Sequence, residues 1–487
     1  MSAESSVLQT GREKIARAEN PFPVFYLALG ILWAVVFLKS ILAGILLPFA
    51  VIGFLIAIRY PEWCWKVWIA FTLLLPGFFP SSVSSTAFWV LMTTFLFAAW
   101  GEKETYRHLA VPEYPAFWFC IVLWLGWCAV CTLFSTNLAA SLKEITRYTI
   151  SFFTLFTYTS WIRTEKRLWD TFDFFKNATI VLAVLYLLGY LIGLITRNET
   201  FSLLGSHIPS HSEMGILFST AAPFVLVSFL FLKRSGNAKA RIPDVLFFLA
   251  MCAGTLLCRS RAACLALGVS TFVILWQLAA RRIRFVVSGI MAGMILLFVF
   301  LPKGAGHTLD YDSILSGRDR LWKAALSAFS SDPLTGIGPG CWSPWLTKNY
   351  VSADFIFYDK QGHAFYLPLE TLGGEAHNLF LTKLAEMGIV SVVELGAIFI
   401  LWSKFARKVN ALAKQADQRF AAAMLAAVAS LTGLAFFCLF ENGPIVGKAR
   451  GIEIALIWLP AALPWIVSRL LNQQKKEKDR ERFAYAH

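Results

Sequence analysis

The sequence predicts an all-α membrane protein, a polytopic bundle of twelve to fourteen transmembrane helices with one large loop on the outer face. Three observations predict it. Hydrophobic residues make up 57% of the chain and charged residues only 15%, both far from the composition of a soluble domain. Apolar runs that can cross a hydrocarbon core of about 30 Å, roughly 20 residues each, recur along most of the chain. Lysines and arginines gather in alternate connections, as they do where positive segments resist translocation.

Taken in order, the first twenty residues are polar and of mixed charge. The apolar run from Val24 to Ile58 is far too long for a cleavable signal core, so residues 1–23 are expected to form a cytoplasmic tail. Spans are expected at 24–40, 41–58, 65–79, 86–100, 116–134, 145–161, 176–195, 213–232, 244–258, 262–279 and 285–301. A loop follows at 302–376, then spans at 378–402, 419–440 and 451–468 within a segment 377–470, and a tail at 471–487. With the N-terminus inside, about 29 of the 44 cationic residues fall on the cytoplasmic side and about 15 outside, which favours an even number of spans and two cytoplasmic ends. The net charge of +14 is thus mostly topological, and no basic stripe interleaved with aromatics points to nucleic acid. Cys128 and Cys131 lie inside an expected span, where their spacing reads as packing. Cys341 alone falls in the outer loop, which therefore has no internal disulfide available.

The loop carries the chemistry. Loops of this length are functional or disordered, and Trp322, Trp342 and Trp345 favour an ordered cap. A helix over 317–331 would place Arg318, Trp322, Ala325 and Phe329 on one face, with Arg320, Lys323 and Ser327 opposite. A guanidinium on that apolar face needs an anion, either a ligand or a loop carboxylate. Pro333 with Gly336, Gly338 and Gly340 then reads as a turn that reverses the chain under the cap, since neither nucleotide-binding glycine pattern is complete.

Arg259 and Arg261 flank Ser260 at the outer lip of a tight helical hairpin. Charges at that depth have a partner or a task, although snorkelling explains them too. His377 and Asn378 are expected in the first turn of the twelfth span, with His377 on the face of Leu381 and Leu384. An imidazole whose ordinary pKa is near 6.5 exchanges a proton at ambient pH. Glu375, Glu386, Glu441, Lys143 and Arg147 either line a cavity or are interfacial charges. His207 and His211 have helical metal-ligand spacing, but Pro209 lies between them. Asp310 and Asp312 form a short acidic pair that is also common in turns.

These pieces resemble the bacterial O-antigen ligase and polymerase superfamily. The resemblance rests on Ser260-Arg261-Ala262, Gly317-Arg318 with Trp322, the turn from Asp332-Pro333 to Gly336-Ile337-Gly338, and His377-Asn378 followed by Leu381, Glu386 and Gly388. It covers roughly residues 200–445; the first 200 match in hydropathy only. It implies a GT-C-like bundle in the bacterial inner membrane with a periplasmic active site. It further implies metal-independent, inverting transfer of a glycan from undecaprenyl pyrophosphate to a hydroxyl, on lipid A-core in a ligase or on another lipid-linked repeat unit in a polymerase. No cofactor or metal is expected. Arg261, Arg318 and Arg259 would hold the pyrophosphate and His377 would act as general base, with Asn378, Glu375 and Arg147 as accessory candidates. A flippase for lipid-linked oligosaccharide is the competing class, though transporters place polar groups near the midplane of two related halves.

Overall fold

The computed structural model describes residues 60–74, 91–100, 113–196, 211–232, 242–258, 260–278, 318–350, 356–358, 364–366, 376–441 and 452–485, with a few isolated positions. The chain is a helical bundle. Its described helices are α1 (Pro61–Leu74), α2 (Leu91–Trp100), α3 (Pro115–Leu133), α4 (Leu138–Trp161), α5 (Glu165–Thr196), α6 (His211–Val227), α7 (Ile242–Leu257) and α8 (Arg261–Leu278). They continue with α9 (Arg318–Ser331), α10 (Trp342–Asn349), α11 (Leu379–Ala416), α12 (Gln418–Phe437) and α13 (Ile452–Tyr485). A small antiparallel ribbon, β1 (Ile356–Tyr358) with β2 (Ala364–Tyr366), lies in the loop.

Six of the described helices are long and apolar enough to cross a membrane, and α2 and α7 are shorter apolar helices. The expected spans at 24–40, 41–58 and 285–301 lie outside the described residues. The span expected at 65–79 begins earlier, at Pro61, because proline is well suited to a helix's first turn. That expected at 145–161 begins at Leu138, where the Asn137 side chain accepts from the Ala140 N–H and caps the helix.

The membrane core is dense in aromatics, and some of their polar ends tie helices together. Trp65 donates to the Tyr158 hydroxyl at 2.7 Å, and Trp402 donates to the Ala461 carbonyl at 2.9 Å. Small residues let particular helices close up. A Cβ on Gly433 of α12 would stand 2.5 Å from the Ala266 carbonyl oxygen of α8, and one on Gly215 of α6 would stand 2.6 Å from the Ala263 Cβ. The N-terminal end of α8, where Arg261 sits, is thereby drawn level with the C-terminal end of α12.

α11 is broken. Gly388 has φ 68° and ψ −173°, which separates a short front segment from the long remainder. Only glycine fits, because a Cβ there would run into the Leu334 carbonyl oxygen. Polar backbone exposed by a break inside a membrane must find partners, and the turn after α9 supplies them. Ile337 and Gly338 donate to the Ala385 and Glu386 carbonyls at 3.0 and 2.9 Å, and Ile389 donates to the Pro333 carbonyl at 3.0 Å. The Trp127 indole covers the remaining Met387 carbonyl at 2.9 Å. The glycine-rich turn does reverse the chain, and it also seals the broken helix. Cys128 packs on the Met387 sulfur at 3.3 Å, in keeping with a packing role for the two span cysteines.

The described part of the loop is an ordered cap with its own small core: Leu321, Ala324, Ala325 and Ala328 of α9 with Ile337, Trp342 and Leu346, closed on Ala385 of α11. The α9 stripe is therefore rotated from the one expected. The turn and Ala385 pack against the alanine side, which leaves Trp322 and Phe329 half-buried on its flank. Arg318 stands at the edge of that stripe, facing the end of α12.

Candidate functional site

The C-terminal end of α12 is gripped from two directions. Its last carbonyls have no partner within the helix. Leu379 N–H takes Cys438 O at 3.0 Å, the Asn378 amide takes Leu439 O at 2.9 Å, and the Arg318 guanidinium takes Phe440 O. Asn378 is also the N-cap of α11, accepting from Leu381 N–H at 3.0 Å. It thereby anchors the helix start to its neighbour.

His377 lies just before that cap and is not in the first helical turn. The reason is local: Asn378 is extended, as an N-cap must be, and His377 is left-handed with φ 51°. A residue with a Cβ adopts that conformation at a cost of about 1–2 kcal/mol. The turn aims the ring away from α11 and toward the end of α12, where its Nδ1 lies 2.7 Å from Glu441 Oε2. The other oxygen, Oε1, is bound by Arg318 Nη2. One carboxylate thus joins an imidazole and a guanidinium that are distant in sequence.

Glu441 is buried, and burial alone would push its carboxyl up. The hydrogen bond from His377 and the charge of Arg318 outweigh that and hold it below the ordinary carboxylate range. Arg261, at the first position of α8, is close enough to Arg318 for the two charges to repel. The His377 side chain is 41% exposed, so the ring has access to a ligand while Glu441 has little.

The structure therefore brings Arg318, His377 and Asn378 together, with Arg261 beside Arg318. Arg259 and Glu375 lie outside the described residues, as do His207, Asp310 and Asp312. Arg147 stands on α4. It pairs with Glu144 at 3.0 Å on α4, in a second network where Lys383 Nζ binds Glu386 at 2.8 Å and also the Tyr148 hydroxyl. Glu441 stands in the sequence as one of five undifferentiated charges. The signal that marks it is an acid just past a helix C-terminus, where the helix dipole disfavours negative charge unless cations are at hand.

Fold and site together define a multi-pass membrane protein with an imidazole–carboxylate–guanidinium cluster at one end of its bundle. Residues 246–395 match the family described as O-Antigen ligase, a segment that includes Arg261, Arg318 and His377 and ends before Glu441. The exopolysaccharide production protein ExoQ of Rhizobium meliloti (strain 1021) is 23% identical over 212 residues. That match covers 42% of this chain and 46% of the relative, less than half of either protein. These findings support a likeness to the O-antigen ligase/polymerase superfamily.

Proposed function

We propose that this protein transfers a glycan from undecaprenyl pyrophosphate to an acceptor hydroxyl at the periplasmic face of the bacterial inner membrane, with both chain termini in the cytoplasm. The observation that carries the reading is the meeting of His377 and Arg318 on Glu441 with Arg261 alongside. Cleaving the anomeric C–O bond leaves negative charge on the diphosphate, and guanidinium groups receive phosphate oxygens through paired N–H bonds without losing their charge. Arg261 and Arg318 take that role, with Arg259, two residues before Arg261, as a third candidate, so no step is routed through a metal. His377 removes the acceptor's hydroxyl proton as the new C–O bond forms on the side opposite the leaving group, inverting the anomeric centre. The proton then passes to solvent or to the released diphosphate.

The acceptor in this reading is lipid A-core, the reaction of an O-antigen ligase. A second reading, polymerisation of lipid-linked repeat units, draws support from the exopolysaccharide role printed in the name of the relative. Deleting the gene separates the two: loss of a ligase leaves full-length polymer on its lipid carrier, while loss of a polymerase leaves single units. The decisive test is purified protein in detergent with lipid-diphosphate glycan and acceptor. Release of lipid diphosphate is expected, falling about 10²- to 10⁴-fold in His377→Ala. A His377→Ala protein that folds and turns over at the normal rate would sink the reading, and dependence on a second compartment would favour a flippase.

A further inference from the structure

We infer that Glu441 is the positioning residue for His377: one carboxylate oxygen holds the Nδ1 side of the imidazole while Arg318 fixes the other oxygen. The inference rests on the reading of His377 as the base and goes beyond it by adding a residue that lies outside the matched family segment.

Four observations carry it. Glu441 Oε2 is 2.7 Å from His377 Nδ1, and Oε1 is bound by Arg318, so both oxygens are committed. The carboxylate is buried and held in its ionised form, and an ionised carboxylate only accepts hydrogen bonds. Nδ1 must therefore be the donor, and the neutral ring keeps its lone pair on Nε2, the nitrogen left for a substrate hydroxyl. Finally, His377 holds a left-handed backbone, an arrangement that persists only where the surroundings impose it, and here it delivers the ring to Glu441. Among the described residues, the charged groups shown to face Glu441 are His377 ahead of α11 and Arg318 on α9, with Arg261 of α8 within reach of Arg318. A plain ion pair capping α12 would need Arg318 alone.

The test uses the full chain in detergent, labelled with ¹⁵N-histidine, with the His377 signals assigned by their loss in His377→Ala. In the unsubstituted protein the Nδ1–H tautomer is expected, and an Nε2–H tautomer overturns the inference whatever any variant does. Glu441→Gln, which can donate as well as accept, is expected to mix the tautomers. It should lower kcat by up to about 10⁴-fold, the loss that follows from the wrong tautomer in the serine-protease triad, with little change in the KM for the lipid diphosphate. Glu441→Asp should restore part of kcat. If Glu441→Gln folds and keeps kcat and its pH profile while His377→Ala loses transfer, Glu441 does not position the base but the functional reading stands. If His377→Ala also keeps transfer, the functional reading itself is wrong.

Discussion

Two charged clusters flank the front of α11, and they differ in how their charges are met. In the inner one, Lys383 and Arg147 each bond a carboxylate, Glu386 and Glu144, and Lys383 is only 2% exposed. Two cations and two anions, tied together through Tyr148, make a set of balanced charge whose lysine is fully enclosed. In the outer one, the Glu441 carboxylate is divided between Arg318 and a partly exposed imidazole, with the Arg261 guanidinium within electrostatic reach of Arg318. Buried pairing of the first kind holds helices in register, whereas a partly exposed imidazole that shares a carboxylate with a guanidinium is a candidate for work on a substrate. Both clusters contain arginine, so residue type alone does not separate them. Their closure does.

The comparison breaks most visibly at Lys383. Lys383→Met leaves Glu386 buried without its cation and should cost about 3–5 kcal/mol, read as a lowered melting temperature in detergent. Adding Glu386→Leu should return most of that loss, since apolar replacement of a whole buried pair is often near neutral. Transfer per folded molecule should stay near normal in the double variant; loss of transfer at normal stability would give the inner cluster a functional part.

Arg261→Ala should behave the other way. Transfer is expected to fall about 10²- to 10³-fold, the usual cost of removing one donor to developing charge, with melting little changed. Equal losses of stability and turnover would show that the outer arginine is structural too.

The pH dependence sharpens the contrast further. Glu441 is held below the ordinary carboxylate range, so its ion pairs contribute stability in full above that range. That contribution is lost as pH falls through the lowered value. Melting curves of the unsubstituted protein and Glu441→Gln should therefore differ at neutral pH and converge in acid. The smallest effect belongs to Asn378→Ala, which removes an N-cap for about 1 kcal/mol and loosens the seat of His377.

Much of the bundle and half of the outer cluster are legible in the amino-acid sequence. Long apolar runs mark the helices because hydrocarbon tolerates little else, and the described helices fall on eleven of the fourteen expected spans. Arg318 and His377 stand out because a charge or imidazole beside apolar helices needs a reason. What escapes depends on direction. The α9 stripe is misplaced by its pattern because bulky Trp322 and Phe329 outweigh small alanines, although alanines are what close packing against a turn requires. Glu441 escapes because its partners lie far away in sequence. Lys383 carries a signal that points the right way, since Lys383 and Glu386 are an i,i+3 pair inside an otherwise apolar run.

The seal at Gly388 ties the cap's freedom to the bundle. Were the turn at 333–338 to lift away, the carbonyls of Ala385 and Glu386 would face hydrocarbon or a water-filled gap with their hydrogen bonds lost. That penalty makes the described cap and the front of α11 a single moving part. If the donor carries a long lipid tail, as proposed above, it is expected to enter sideways between helices and not by lifting this turn.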